Sequence, residues 1–279
     1  MNKIIAAIDG LKYSESCARY SIELAKQSKA HLVGVFLDDF TYHSYKIYEL
    51  VGNEGVSDSK HQLLEEMDIE TRHEALSKFE RMCGEAEVNY SVHHDENIAW
   101  RELLHESVFA DLLVIDRKET LTHYDEDIPT RFIRDLLSNV QCPVLVVPGK
   151  FKPVEKILFL YDGEPSSVHA LKMYNFLFPE LRMLKKEILS IKTNEESLHL
   201  TDNKLMREFL KRRIPEAEYT VLKGNAEEEI VQYVRRLKQN VFIVLGAYQR
   251  GMVSRWFRES MADVLMKELN HPLFVAHNK

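Results

Sequence analysis

Several things are scarce in this 279-residue chain, and each absence removes a class of protein. Cysteine occurs three times, at Cys17, Cys83 and Cys142, an odd number without metal-ligand spacing. A disulfide framework is thereby excluded, and reduced thiols in a cytoplasmic protein are the expectation. No apolar run approaches the roughly 20 residues that a bilayer demands. The segment Met1 to Asp9 meets an acidic residue too early for a signal peptide and reads as a strand. Positive charge is not in surplus. Against 44 acidic residues stand 37 Lys and Arg, a net charge of −7, so neither nucleic acid nor an anionic membrane is an expected partner. Catalytic signatures are also missing: there is no Walker loop, no nucleophile elbow and no Ser-Gly-Gly pyrophosphatase loop. The sequence therefore assigns no catalytic residue. Nor is a metal centre expected. His93-His94-Asp95, with His105 and His123 elsewhere, matches no zinc spacing, and adjacent residues on a strand face opposite ways.

What is present is alternation. Lys3 to Ile8 reads as a buried strand ending in Asp9-Gly10, and Ser14 caps a helix running to about Lys29. A strand at 31–37 follows, then a polar, aromatic stretch with a short helical piece near 45–50. A charged helix at 60–82 comes next, then a strand at 88–93, a helix capped by Asn97, a strand at 112–115, a helix at 129–139 and a strand at 143–147. After the linker Pro148-Gly149-Lys150-Phe151-Lys152-Pro153 the pattern restarts. Lys156-Ile157-Leu158-Phe159-Leu160-Tyr161-Asp162-Gly163 echoes Lys3-Ile4-Ile5-Ala6-Ala7-Ile8-Asp9-Gly10, and each later element has its counterpart, among them a helix at 198–213. The chain is an internal duplication, with domains at 1–148 and 154–279. Strands alternating with helices imply parallel, doubly wound α/β sheets. Val144 to Val147 and Leu273 to Ala276 are apolar strands at expected sheet edges, and pairing the two would cover both within one chain.

The strand Val241 to Leu245, the loop from Gly246 and the helix from Ser260 form a strand–loop–helix unit of the kind that holds phosphate on backbone N–H groups and a helix dipole. This stretch resembles the signature of the universal stress protein family: Gly-x-x-Gly, nine residues, Gly-Ser or Gly-Thr, a helix and a last strand. Gly246 matches the first glycine and Ser260 the hydroxyl residue. Gln249 and Glu259 replace the other two glycines, with Arg250 and Gly251 between them. Together with the duplication, the resemblance covers nearly the whole chain and implies a tandem protein of that family. Its fold would be two five-stranded, mainly parallel sheets of the adenine-nucleotide alpha-hydrolase-like type, flanked by helices and paired as an internal pseudo-dimer, with a homodimer as a further assembly.

The resemblance also places a candidate ATP or ligand cleft. In the second half it comprises Asp162, Gly163, Gly246, Gln249, Arg250, Gly251, Glu259 and Ser260. In the first half the equivalents are Asp9, Gly10, Val35 and Asp116. Glutamine at 249 loses the positive φ and close approach that glycine permits, and a carboxylate at 259 would satisfy the helix dipole in place of phosphate. The first half departs further. Counting back from Cys142-Pro143 puts Thr130-Arg131 where Gly-Ser should be, and Asp116-Arg117-Lys118-Glu119 contains no glycine. The first reading is a cytoplasmic stress-response scaffold, with an unidentified protein partner, that binds ATP weakly or not at all. The alternatives are a switch with slow hydrolysis of ATP, held with magnesium in the second half, and a binder of another small ligand, a cation included. Tyr42-His43-Ser44-Tyr45 with Tyr48 is an aromatic cluster expected to pack over the sheet edge or to cover a pocket beside the second strand, and Trp256-Phe257 is expected to anchor the second loop to its domain or to the partner half.

Overall fold

The computed structural model describes residues 1–37, 43–45, 51–52, 55–56, 58–94, 99–192, 199–246 and 260–276. The first half runs β1 (Lys3–Ile8), α1 (Glu15–Ser28), β2 (His31–Phe36), β3 (Val51–Gly52), β4 (Gly55–Val56), α2 (Asp58–Ala86), β5 (Tyr90–His94), α3 (Ala99–Ser107), β6 (Leu112–Asp116), α4 (Arg131–Asn139) and β7 (Val144–Val147). The second half runs β8 (Lys156–Leu160), α5 (Pro165–Leu177), a 3-10 turn (Pro179–Met183), β9 (Lys185–Lys192), α6 (Asn203–Arg213), β10 (Glu218–Lys223), α7 (Ala226–Arg236), β11 (Val241–Gly246), α8 (Met261–Glu268) and β12 (Leu273–Ala276).

Three local readings of the sequence are corrected. The small antiparallel ladder β3–β4 lies in the stretch read as loop. Helix α2 extends past both expected ends. Helix α6 starts at Asn203 rather than 198. Most of the expected helical piece near 45–50, and Asn97, lie outside the described residues.

The ten long strands form one sheet in the order β10-β9-β8-β11-β12-β7-β6-β1-β2-β5. Within each half every pair is parallel. The halves join by antiparallel pairing of their last strands, with Leu273 opposite Val146, Phe274 opposite Leu145 and Val275 opposite Val144. The two apolar edges recognised in the sequence cover each other.

Strand alternation then builds two cores. Ile4, Ala6 and Ile8 face one side with Leu145, Phe159 and Phe274, beneath α1, α2, α5 and α6. Ile5 and Ala7 face the other with Val144, Val146, Leu273 and Val275, beneath α3, α4, α7 and α8. Each core continues across the seam between the halves. The linker is pinned to both. Tyr20 Oη donates to Lys152 O at 2.9 Å, and Asn240 Nδ2 donates to Lys152 O at 2.8 Å and Pro153 O at 3.1 Å.

A continuous core predicts one cooperative transition. Leu145→Ala, at a fully buried seam position, should cost about 2–5 kcal/mol and lower the melting temperature of the whole chain. Two separate melting steps, by near-ultraviolet circular dichroism and fluorescence, would show that the halves do not depend on the seam.

Candidate functional site

Sheet register fixes which residues of the two halves correspond. Asp116 lies opposite Val147, the last residue of β7, and Gly246 lies opposite Ala276, the last residue of β12. Asp116 thus stands where the second half has Gly246. At matching offsets beyond them, Glu119 corresponds to Gln249, Pro129 to Glu259 and Thr130 to Ser260. The helix caps agree. Thr130 Oγ1 accepts from Ile133 N at the start of α4, and Ser260 Oγ accepts from Asp263 N at the start of α8. Thr130 is therefore itself the hydroxyl residue of the first half, not the residue before it. Counting back from Cys142-Pro143 fails by one, because Thr130 precedes β7 by 14 residues (144 − 130) and Ser260 precedes β12 by 13 (273 − 260).

Of the first-half candidates Asp9, Gly10 and Asp116 lie at the carboxyl ends of β1 and β6 and Val35 on the neighbouring β2, and all are closed off from solvent. Asp9 is 1% exposed, Val35 1%, Asp116 8%, Glu119 7% and Thr130 0%; Gly10 is buried as well. Asp9 Oδ1 accepts from Leu11 N at 2.7 Å and Lys12 N at 3.1 Å, turning the chain after β1. Asp116 Oδ2 accepts from Ser14 Oγ at 2.5 Å and its Oδ1 from Lys118 N at 2.9 Å.

Glu119 folds back onto its own loop. Its Oε1 accepts from Thr120 N and Leu121 N, each at 2.9 Å, and Leu121 has φ +49°. Successive N–H groups in such a turn form a small anion-binding nest, and here a side chain of the same loop fills it. Thr130 Oγ1 donates to Glu119 O, tying the loop to the start of α4. Lys12 Nζ donates to Thr122 O at 2.6 Å from the rim. Burial, and then the neighbouring Asp9, push the Glu119 carboxyl up to about 8. The first cleft is filled by its own residues, and the surroundings of the carboxyl group at its centre favour the protonated form.

The second half presents a different surface at the equivalent place. Asp162 is exposed, and Gly163, Gly246 and Ser260 are partly so. Asp162 Oδ1 accepts from Glu164 N at 2.9 Å, so it turns the chain as Asp9 does. Gly163 has φ +92°, and a Cβ there would lie 2.7 Å from Thr201 Cγ2. At Gly246 a Cβ would lie 2.3 Å from the backbone carbon of Ser166. That glycine admits the first turn of α5, a packing role the signature alone does not reveal. At the start of α8, Ser260 and Asp263 form a reciprocal capping box. Gln249, Arg250, Gly251, Glu259 and Trp256-Phe257 lie outside the described residues.

The remaining constellations serve packing. His93 Nδ1 pairs with Glu106, which also takes Lys3 Nζ at 2.9 Å. His43 and Tyr45 stack at 4.9 Å, beside Ser44 N bonded to Asp68 on α2 at 3.0 Å, so this part of the aromatic cluster packs on the helix; Tyr42 and Tyr48 are not described. Among the described residues no cluster of three or more metal-capable side chains occurs, and no helix is long and apolar enough to cross a membrane. An open groove of about 690 Å³ lies between α1 and α2, but its walls mix Glu15, Glu23 and Glu85 with Arg19, Lys78 and Arg81 and focus no single charge. The role of Glu119 is the main feature the sequence reading missed. Its offset from Asp116, equal to that of Gln249 from Gly246, was the available signal.

Comparison with known proteins agrees with this architecture. A universal stress protein of Synechocystis sp. is 21% identical over 248 residues, covering 84% of this chain and 85% of its own length. The crystal structure of a universal stress protein from Archaeoglobus fulgidus superposes with a TM-score of 0.70 at 15% identity, covering 100% of this chain and 99% of that one. A functionally unknown protein from Pseudomonas aeruginosa superposes with a TM-score of 0.62 at 14% identity, covering 99% and 92%. No family model matches the sequence.

Two predictions follow from the geometry of the clefts. A carboxyl whose pKa rises on folding binds more protons in the native state than in the unfolded one, so stability falls as pH rises from about 4.5 to about 8. Glu119→Gln keeps the shape, removes the ionisation, and should raise the melting temperature over wild type at pH 8.5, with the gap shrinking toward pH 5. A gap independent of pH would refute the buried-acid assignment. Gly246→Ala should cost about 1–3 kcal/mol, measured by urea unfolding, because the atom in its way is backbone and cannot swing aside.

Proposed function

We propose that this chain, which carries the universal stress protein fold twice and is a distant relative of those proteins in sequence, works by binding rather than catalysis and receives a small ligand in its second half alone. One observation carries the reading. At equivalent places in the two half-sheets, Asp9, Asp116, Glu119 and Thr130 are buried beneath the chain's own atoms, whereas Asp162 is exposed and Ser260 partly so. In open α/β sheets, ligands collect at the carboxyl ends of the strands, and only the second half leaves such residues within reach of solvent.

ATP with magnesium is the ligand class to test first, and weak affinity is the expectation. Gln249 and Glu259 stand where the resemblance calls for glycine, and a carboxylate ahead of the helix start competes with phosphate for the same dipole. The closed first half then serves as the partner that completes the sheet. Stress-response scaffolding through a protein partner is the role that this arrangement suits.

The test is thermal melting against ATP and magnesium, checked by calorimetry. With a dissociation constant of about 1 mM, ATP at about 5 mM stabilises by about 1 kcal/mol, a shift of a few degrees. Asp162→Ala should abolish the shift, Asp9→Ala should leave it, and restoring glycine at Gln249 and Glu259 together should enlarge it. If neither wild type nor the glycine double variant responds, the nucleotide reading is wrong. Equal loss with Asp9→Ala would overturn the assignment to the second half.

A further inference from the structure

The last helix of the second half is held at both ends by arginines of the first. Arg117 follows β6, and its backbone N–H donates to Val147 O at 3.0 Å, so the end of the sheet fixes its position. From there its guanidinium crosses the seam to the carboxyl end of α8. Nη1 donates to Met266 O at 3.0 Å and Leu269 O at 2.6 Å, and Nη2 donates to Asn270 Oδ1 at 2.5 Å. The last carbonyls of a helix have no partner within it and carry the negative end of the dipole. A forked cation can satisfy two of them at once. At the other end of α8, Arg134 on α4 places Nε 3.7 Å from Asp263 Oδ2. The same carboxylate oxygen accepts from Ser260 N at 3.4 Å, closing the capping box.

Among the described residues no side chain of the second half makes the corresponding contacts to α4. The pseudo-two-fold relation matches Arg117 with Ala247, Arg134 with Val264 and Asp263 with Ile133, none of which can form an ion pair or donate from a side chain. Because α8 spans only Met261–Glu268, about 12 Å by helical rise, a hold on its carboxyl end constrains its amino end too. That amino end carries Ser260, one of the partly exposed residues of the second cleft.

We propose that Arg117 and Arg134 are positioning residues for the second cleft: the first half, closed to ligand itself, sets the place of α8 and of Ser260 across the seam. The clamp on α8 stands on its own geometry, while its effect on a ligand rests on the second-half binding proposed above. Of the two, Arg117 supplies more of the hold, since it makes three hydrogen bonds, whereas Arg134 is half exposed and makes one longer contact; within the second half, Arg235 of α7 also pairs with Glu268 at 2.5 Å.

The experiment combines two readouts on the full chain: hydrogen exchange of the segment 261–268, and the melting shift given by about 5 mM ATP with magnesium. In Arg117→Ala, exchange in α8 should accelerate about tenfold or more while β1 and α4 keep their wild-type rates, and the ATP shift should fall by at least half. Arg117→Lys, which keeps a cation but not the fork, should fall between the two. Arg134→Ala, at an exposed site where folding is not at stake, should accelerate exchange at the amino end of α8 alone. Unchanged α8 exchange in Arg117→Ala would overturn the clamp. Accelerated exchange with an undiminished ATP shift would overturn the coupling to the cleft. If the wild-type chain does not respond to ATP, the nucleotide reading falls, and the exchange data still decide the clamp. Should Arg117→Ala fail to fold, Arg117→Lys and Arg134→Ala carry the same comparison, and wild-type α8 exchange in both would overturn it.

Discussion

The antiparallel pairing of β7 with β12 is the constraint on which the rest depends. Each half alone would end in an apolar edge strand, Val144–Val147 or Leu273–Ala276, all of it buried in the intact chain. Pairing removes both edges and fuses two five-stranded sheets into one. Because every other long-strand pair is parallel, this single reversal sends the strands of the two halves in opposite directions. The carboxyl ends of the half-sheets, and the clefts they form, therefore open at opposite ends of the molecule. The same reversal brings α4 and α8 together on one face, where Arg134 meets Asp263 and Arg117 reaches the end of α8. What looks like two repeated domains is thus one body with two inequivalent ends.

The inequivalence begins with a small difference in chain length. In the first half α1 starts at Glu15, six residues after Asp9 (15 − 9); in the second half α5 starts at Pro165, three after Asp162 (165 − 162). The shorter connection draws the start of α5 against the end of β11, and only glycine fits at position 246. The longer one leaves room beside β6 for a side chain. Asp116 fills it and accepts from Ser14, the cap of α1. Once Asp116 is in place, Lys118 N bonds to it and the loop turns inward at Glu119. Closure of the first cleft follows from where a helix begins.

Much of this was legible in the sequence, for physical reasons. Buried parallel strands are continuous apolar runs, and the echo of Lys3–Gly10 in Lys156–Gly163 exposes the duplication without any alignment of relatives. The seam was readable because an exposed apolar edge needs a partner. Other features were not readable. The hydroxyl of Thr130 was misplaced by one, because counting from Cys142-Pro143 crosses a connection whose length differs between the halves. Counting forward from the end of the fourth strand would have been sound, since ladder register fixes that end. The short ladder β3–β4 left no alternation long enough to detect. Glu119 reads as one more charge in a polar loop, because nothing local says that a carboxyl group will be buried. Gly246 was read as a ligand glycine, while the contact that requires glycine there comes from a helix eighty residues earlier in the chain.

Two buried glutamates show how neighbouring groups either offset the effect of burial or add to it. Burial alone would raise the pKa of Glu187, yet Lys156 Nζ at 2.6 Å and donors from Thr220 and Tyr233 outweigh it, and its carboxyl stays below the ordinary range. Glu119 also receives two N–H donors, but the acidic groups that face it, Asp9 and Asp116, raise its pKa further, and the Lys12 ammonium bonds to Thr120 and Thr122 of the loop instead. A proton takes the place that a cation holds beside Glu187. This makes the first cleft a poor host for an anion on either side of the Glu119 titration. Protonated, the carboxyl fills the nest of amides; ionised, it puts a negative charge where two further carboxyl groups, Asp9 and Asp116, are already buried. A phosphate-bearing ligand meets occupied donors in the first case and repulsion in the second. The sheet is duplicated, but the surroundings of its carboxyl end are not: the first half buries Asp9, Asp116 and Glu119 there, whereas in the second half Asp162 is exposed.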